Sequence, residues 1–351
     1  MADSGRVGEW PDEWRFQVTR PVLALSLAVL ALHAQGVRVL QTNSAGDNVT
    51  VIDPATNQVV GAIGDIEVPH GVTIAPDGKR IYVTDESLST VDVADAKSLK
   101  VIKRIKLSGR PNNLAVSNDG THVYVGIAQA PGAVDVIDTA TLTRTKSIPV
   151  KGAIHNVYVT PDGQYAVAGS IPGASINVID TATNTVAWTM TMKAGIRPMA
   201  FTRNPDGSTK DLIVQLSNYH GFVVIDFAAR AERRRVTQPD PPGQERETQG
   251  IQGAPAHGLA VTPDGKTLWT TSKYYGYVAA YSLPDYKLLK IVPVGSHPEW
   301  LTIPPDGKNL YVAAAGDDIT VVVDLKTMAV VKKIPVGFVP KRNASGMLNT
   351  E

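Results

Sequence analysis

An Asp-Gly pair recurs six times along this chain, at Asp77, Asp119, Asp162, Asp206, Asp264 and Asp306, with spacings of 42, 43, 44, 58 and 42 residues. An apolar segment precedes each pair, as in VTIAPDG, LAVSNDG, VYVTPDG and LTIPPDG, and a second follows, as in IYVT, VYVG and LYVA. Alternating apolar residues on both sides of a tight turn predict a β-hairpin. One hairpin cannot bury its own apolar faces, so a regular train of them has to stack.

A second marker falls later in each unit, where a Val/Ile-rich strand ends in Asp before a Thr- or Ser-containing turn. It stands at Asp53, Asp95, Asp138, Asp180, Asp226, Ser282 and Asp324. An Asp there can hydrogen-bond the backbone of its own turn. Another strand follows, such as QVVGAIG or VVKKIPV, giving four short strands per unit, which is the pattern of a propeller blade. There are six hairpin pairs but seven later markers. The unmatched Asp53 is N-terminal, and the chain ends with an unmatched blade opening at Gly337 to Lys341. The simplest arrangement closes a ring, with three outer strands from about Val37 to Gly64 and an inner strand from residues after Phe338. The fold expected is therefore all-β, a seven-bladed β-propeller over residues 35–351 whose closure removes free sheet edges. Between Asp226 and Ser282 the marker spacing grows to 56. The excess, residues 228–255, carries Arg230, Arg233, Arg234, Arg235 and several Pro, and reads as an irregular insertion: a lid over the top face or a solvated loop.

Tyr82-Val83-Thr84-Asp85, followed by units carrying VIDTAT, resembles the YVTN-repeat β-propellers over roughly residues 37–342. The resemblance implies the fold. It leaves function open, because relatives of this repeat include surface-layer and periplasmic binding proteins, lactonase-like enzymes and haem d1-binding propellers.

Residues 1–34 read as a secretory signal peptide, with an apolar h-region at 21–32 after Arg15 and Arg20 and a small residue at Ala34. That predicts a periplasmic or secreted protein. A formal net charge of +1 gives sequence-independent nucleic-acid binding no electrostatic support, and no membrane partner is expected beyond the leading segment. A monomer is expected. Cysteine is absent, which removes disulfides, thiolate catalysis and Cys-ligated zinc.

Aligning the units on their Asp-Gly pairs places one residue of each at the channel mouth: His70, Asn112, His155, Met199, His257, Glu299 and Lys341. His70, His155 and His257 stand in alternate blades and are candidate ligands for a divalent metal. If adjacent inner strands lie about 8 Å apart, the ring radius is about 9 Å and three His reaching roughly 6 Å inward leave about 3 Å, near a Zn–N bond of about 2 Å. Glu299 and Lys341 are candidate catalytic groups for moving protons, with Glu299 also a candidate fourth ligand. Alternatively these side chains simply bond neighbouring loops and water. Ligand-binding candidates are Asn112 and Arg197 on inner strands, with Asp85, Tyr219, His220, Lys273 and Tyr274 on the loops above them. Two functions fit: an exported scaffold binding a small molecule or protein at its top face, or a metal-assisted lyase or lactonase. A haem d1-type site with one His as axial ligand is a variant of the second.

Overall fold

The Asp-Gly turns adopt the form their chemistry dictates. Asp77 accepts the backbone N–H of Lys79 at 2.9 Å, Asp119 that of Thr121 at 3.0 Å and Asp162 that of Gln164 at 3.1 Å. Gly78 and Gly120 follow at φ +70° and +73°, a backbone that a Cβ would strain. At the second marker, Asp138, Asp180 and Asp324 each accept both the backbone N–H and the hydroxyl of the Thr three residues on.

The computed structural model describes residues 36–349, and the expected leader over 1–34 lies outside the described residues. Hairpin follows hairpin to give seven four-stranded antiparallel sheets, a β-propeller with no helix among the described residues. Blade 1 joins both ends of the described chain. Gly36–Asn43, Asn48–Asp53 and Gln58–Ile63 pair in series, and Pro340–Leu348 lies along the first of them with Gly36 opposite Leu348 and Asn43 opposite Pro340. Blades 2 to 7 are continuous in sequence. Their inner strands are Pro69–Ile74, Pro111–Val116, Ile154–Val159, Ile196–Arg203, Leu259–Val261 and Pro298–Thr302, and each touches its neighbours around the ring.

Blade packs on blade through the apolar residues of the middle strands. Leu40, Val49 and Val51 of blade 1 meet Val72, Ile81 and Val83 of blade 2, all but fully buried. Each such side chain contributes roughly 1.5–3 kcal/mol of transfer free energy. Tyrosines bolt the blades together. The Tyr124 hydroxyl of blade 3 donates to Asn184 Oδ1 of blade 4 at 2.8 Å, and Tyr311 of blade 7 donates to Asn57 of blade 1 at 2.5 Å.

The segment expected to be irregular over 228–255 is so only in part. Ala231–Thr237 forms the outer strand of blade 5, with Gly221 opposite Thr237 and Val224 opposite Arg234. An outer strand is wet on both faces, so its sequence (AERRRVT) lacks the apolar alternation that reveals inner strands. Its arginines are held by neighbours: Arg233 pairs with Asp211 and Arg235 with Glu232, while Arg230 and Arg234 lie over Trp188 and Tyr286. The irregular stretch is 238–258.

Candidate functional site

The inner strands begin at one end of the channel, and six of the seven carry a register shift there, for example between Pro69 and Val72 or between Pro111 and Leu114. Such a shift breaks strict alternation and turns successive side chains toward the axis. The result is a pocket of about 390 Å³ lined by His70, Asn112, His155, Arg197, Glu299 and Lys341 from the inner strands and by His257 just ahead of one, with Glu86, Arg110, Lys273 and Gln252 above them.

Blade 5 departs from the expected alignment. The register puts Ile196 opposite Leu216 and Met199 opposite Val214, as Pro69 and Val72 stand opposite Asp85 and Val83 in blade 2. Arg197 is therefore the mouth residue. Met199 sits below it in the core at 1% exposure. The hairpin around Asp206 is longer than its counterparts, with strands running to Arg203 and from Thr209, so counting back from the Asp-Gly pair stops short of Arg197.

Glu299 is the hub of one side. Its Oε1 accepts Lys273 Nζ at 2.7 Å and Lys341 Nζ at 3.0 Å, and its Oε2 lies 3.1 Å from His257 Nδ1. Burial opposes ionisation of this carboxyl, but the His257 hydrogen bond and the two ammonium groups outweigh it and hold it well below the usual range. Burial pulls His257 the other way, down to about 4 against the attraction of Glu299. Across the pocket Glu86 holds His70 Nδ1 at 2.7 Å and Arg110 at 3.3 Å. His70 is lowered by burial, though Glu86 pulls it up. His155 stands 5.4 Å from His257, ring centre to ring centre, and its Nδ1 meets Asn156 Nδ2 at 2.5 Å. Burial, then Arg342, lowers it well below its ordinary value. Near pH 7 all three imidazoles are neutral.

Arg342 is the residue that sequence reasoning missed. It is 2% exposed, stacks over Trp300 at 4.1 Å and donates Nη2 to Asn112 Oδ1 at 2.7 Å. Its Nε and Nη1 are buried with no hydrogen-bond partner, and burial lowers its pKa to about 10. The guanidinium also borders a second chamber of about 370 Å³ lower in the channel, walled by Leu114, Tyr158, Phe201 and Trp300. One signal was available. The position after the mouth residue is Gly71, Asn113, Asn156, Pro198, Gly258, Trp300 and Arg342, so two large side chains stand out among small or short ones.

Several expected groups lie elsewhere. Asp85 is fully buried and caps its own loop, accepting the N–H groups of Glu67 and Leu88. His220 is buried between Asp240 and Ser272 and packs against Tyr274, while the Tyr219 hydroxyl bonds Thr237. None of these four lines the pocket. Nor do the three His converge as ligands: among the described residues no group of three His, Asp or Glu is placed to hold a metal ion. His70 and His257 each turn Nδ1 onto a different carboxylate instead. A tetrapyrrole fits no better, because Val68 and Ala254 are the apolar side chains of the lining and no Phe, Tyr or Trp joins them.

The family model for the YNCE-like beta-propeller matches residues 28–229. The YncE protein of Salmonella typhimurium (strain LT2) and that of Salmonella typhi are each 32% identical over 100 residues, and the match covers 28% of this chain and 28% of theirs. Among solved structures, hydrazine synthase of Kuenenia stuttgartiensis superposes with a TM-score of 0.70 at 24% identity, over 81% of this chain and 91% of that one. The periplasmic gluconolactonase PpgL of Pseudomonas aeruginosa gives 0.68 at 18% identity, over 90% and 100%. The dihydro-heme d1 dehydrogenase NirN gives 0.63 at 19%, over 85% and 63%. At these identities the structural likeness speaks to the fold alone.

Proposed function

This chain belongs to the YNCE-like β-propeller family, and we propose that it is an exported binding protein whose top-face pocket captures a small organic anion. Export is supported by the leader-like sequence of residues 1–34 and by likeness to a propeller described as periplasmic. The observation that carries the ligand class is the charge of the pocket: Arg110, Arg197, Lys273, Lys341 and Arg342 face two carboxylates, Glu86 and Glu299. Arg342 is a buried cation with no carboxylate paired to it, and an incoming acid would offset that charge. Apart from Val68 and Ala254 the lining residues carry charged, amide, imidazole or hydroxyl groups, which favours a small hydrophilic acid over a drug-like hydrophobe.

Calorimetric titration at low ionic strength with acetate, inorganic phosphate and gluconate tests this. At least one should bind, more weakly as salt rises, and Arg342→Met should abolish the binding. Binding of neutral sugars with no response to any acid would overturn the proposal.

One arrangement favours a hydrolytic reading as well. His257 donates Nδ1–H to Glu299, which leaves Nε2 a free lone pair able to take a proton from water attacking a lactone carbonyl; the imidazolium then returns the proton to the alkoxide as the ring C–O bond breaks. Turnover of an aldonolactone, lost in His257→Gln, is its test.

A further inference from the structure

Two of the pocket's five cations differ from the rest. Lys273 and Lys341 share Glu299, and Arg110 has Glu86. Arg197 and Arg342 have only neutral partners. Arg197 donates Nε to Ser217 Oγ at 2.9 Å and Nη2 to the Gln252 carbonyl at 2.6 Å. Arg342 reaches Asn112 and leaves Nε and Nη1 without acceptors. Both guanidiniums are buried, at 8% and 2% exposure. Arg197 belongs to blade 5 and Arg342 to the closing strand of blade 1. Those blades are three apart in a ring of seven, the largest separation such a ring allows, so the two charges enter from opposing walls. His155 of blade 4 lies near enough to both for each guanidinium to disfavour its charged form.

We propose that the pocket is built for an acid with two carboxylates, one set against Arg197 and the other against Arg342. This rests on the anion-binding reading and narrows it to a class. One carboxylate can neutralise either wall but not both, and the second guanidinium would stay buried beside neutral groups. A guanidinium fork is shaped for a planar, bidentate acceptor, so a carboxylate answers each end. The chain joining the acids is short and carries polar substituents or none, because the lining offers polar side chains such as His155 and Asn112, with Val68 and Ala254 the exceptions.

Glutarate and valerate separate this from single-anion binding, since they match in carbon count and differ by one acid group. Titrated at the same low ionic strength, glutarate should bind about tenfold or more tightly than valerate, one charge-assisted contact being worth at least that factor. In Arg197→Gln the ratio of glutarate to valerate affinity should fall toward one, with the loss falling mainly on glutarate, because valerate can still use the Arg342 end. Succinate and adipate, run alongside, should fall on either side of the preferred length. Equal affinity for glutarate and valerate in the unmodified protein would overturn the two-acid inference and leave the anion pocket standing. Equal losses for both acids in Arg197→Gln would overturn it too. Binding of neither acid, together with silence toward acetate, phosphate and gluconate, would overturn both proposals.

Discussion

Replacing Arg342 by Met should leave the protein at least as stable and destroy its anion binding at once. The pKa of Arg342 falls from an ordinary 12.5 to about 10, first through burial. At 1.36 kcal/mol per unit, the fold disfavours the charged guanidinium by about 3 kcal/mol relative to the unfolded chain. The charge is fully formed at pH 7 in both states, so that cost is present across the working range. Met keeps an aliphatic stem, and gives up the hydrogen bond to Asn112 and the cation–π contact with Trp300, together roughly 2–3 kcal/mol when desolvated. Those attractions offset most of the burial cost, so a net gain of only about 0–1 kcal/mol is expected. In a domain of this size that raises the melting temperature by at most roughly 2 °C. Differential scanning fluorimetry in chloride-poor buffer reads the shift, and calorimetry with acetate or gluconate reads the binding. Loss of stability by 2 kcal/mol or more in the variant would refute the reasoning, since it would mean that Arg342 is structurally compensated and not held in reserve for a ligand.

Glu299→Gln should do the reverse. It strands Lys273, 2% exposed, and Lys341 beside a neutral amide, and should cost roughly 3–5 kcal/mol in thermal or denaturant unfolding, with Lys273→Met recovering part of the loss. The pH dependence follows from His257. Its folded pKa of about 4 lies below the unfolded value near 6.5, so between those values the unfolded chain binds more protons and stability falls as pH drops. Melting temperature should decline from about pH 7 toward pH 4, and His257→Gln should flatten that decline; an unchanged slope would remove His257 from the cause.

Much of the architecture was readable in advance for a definite reason. The Asp-Gly turn and the Asp–Thr turn act locally, within three residues, and their repetition told where each blade begins. Ring closure followed from one surplus marker, Asp53, and one surplus blade opening near Lys341, which the pairing of Gly36–Asn43 with Pro340–Leu348 brings into a single sheet. Where local rules lapse, the reading failed. The outer strand Ala231–Thr237 has no buried face to impose a pattern. Met199 took the place of Arg197 because the long hairpin of blade 5 shifted the count. The site was half legible. His70, Asn112, His155, His257, Glu299 and Lys341 reach the pocket because a repeat fixes position. What they do there is set by non-local pairing, and the carboxylates that occupy His70 and His257 come from a loop and from another blade. Arg342 escaped because a register shift, invisible in the alternation, turns it inward.

The most direct measurement is a crystal structure of the unmodified protein grown with glutarate. Density for the diacid in the top-face pocket, one carboxylate against Arg197 and the other against Arg342, is the predicted result. Glutarate absent from the pocket at saturating concentration, with both guanidiniums facing only water and protein, would contradict it.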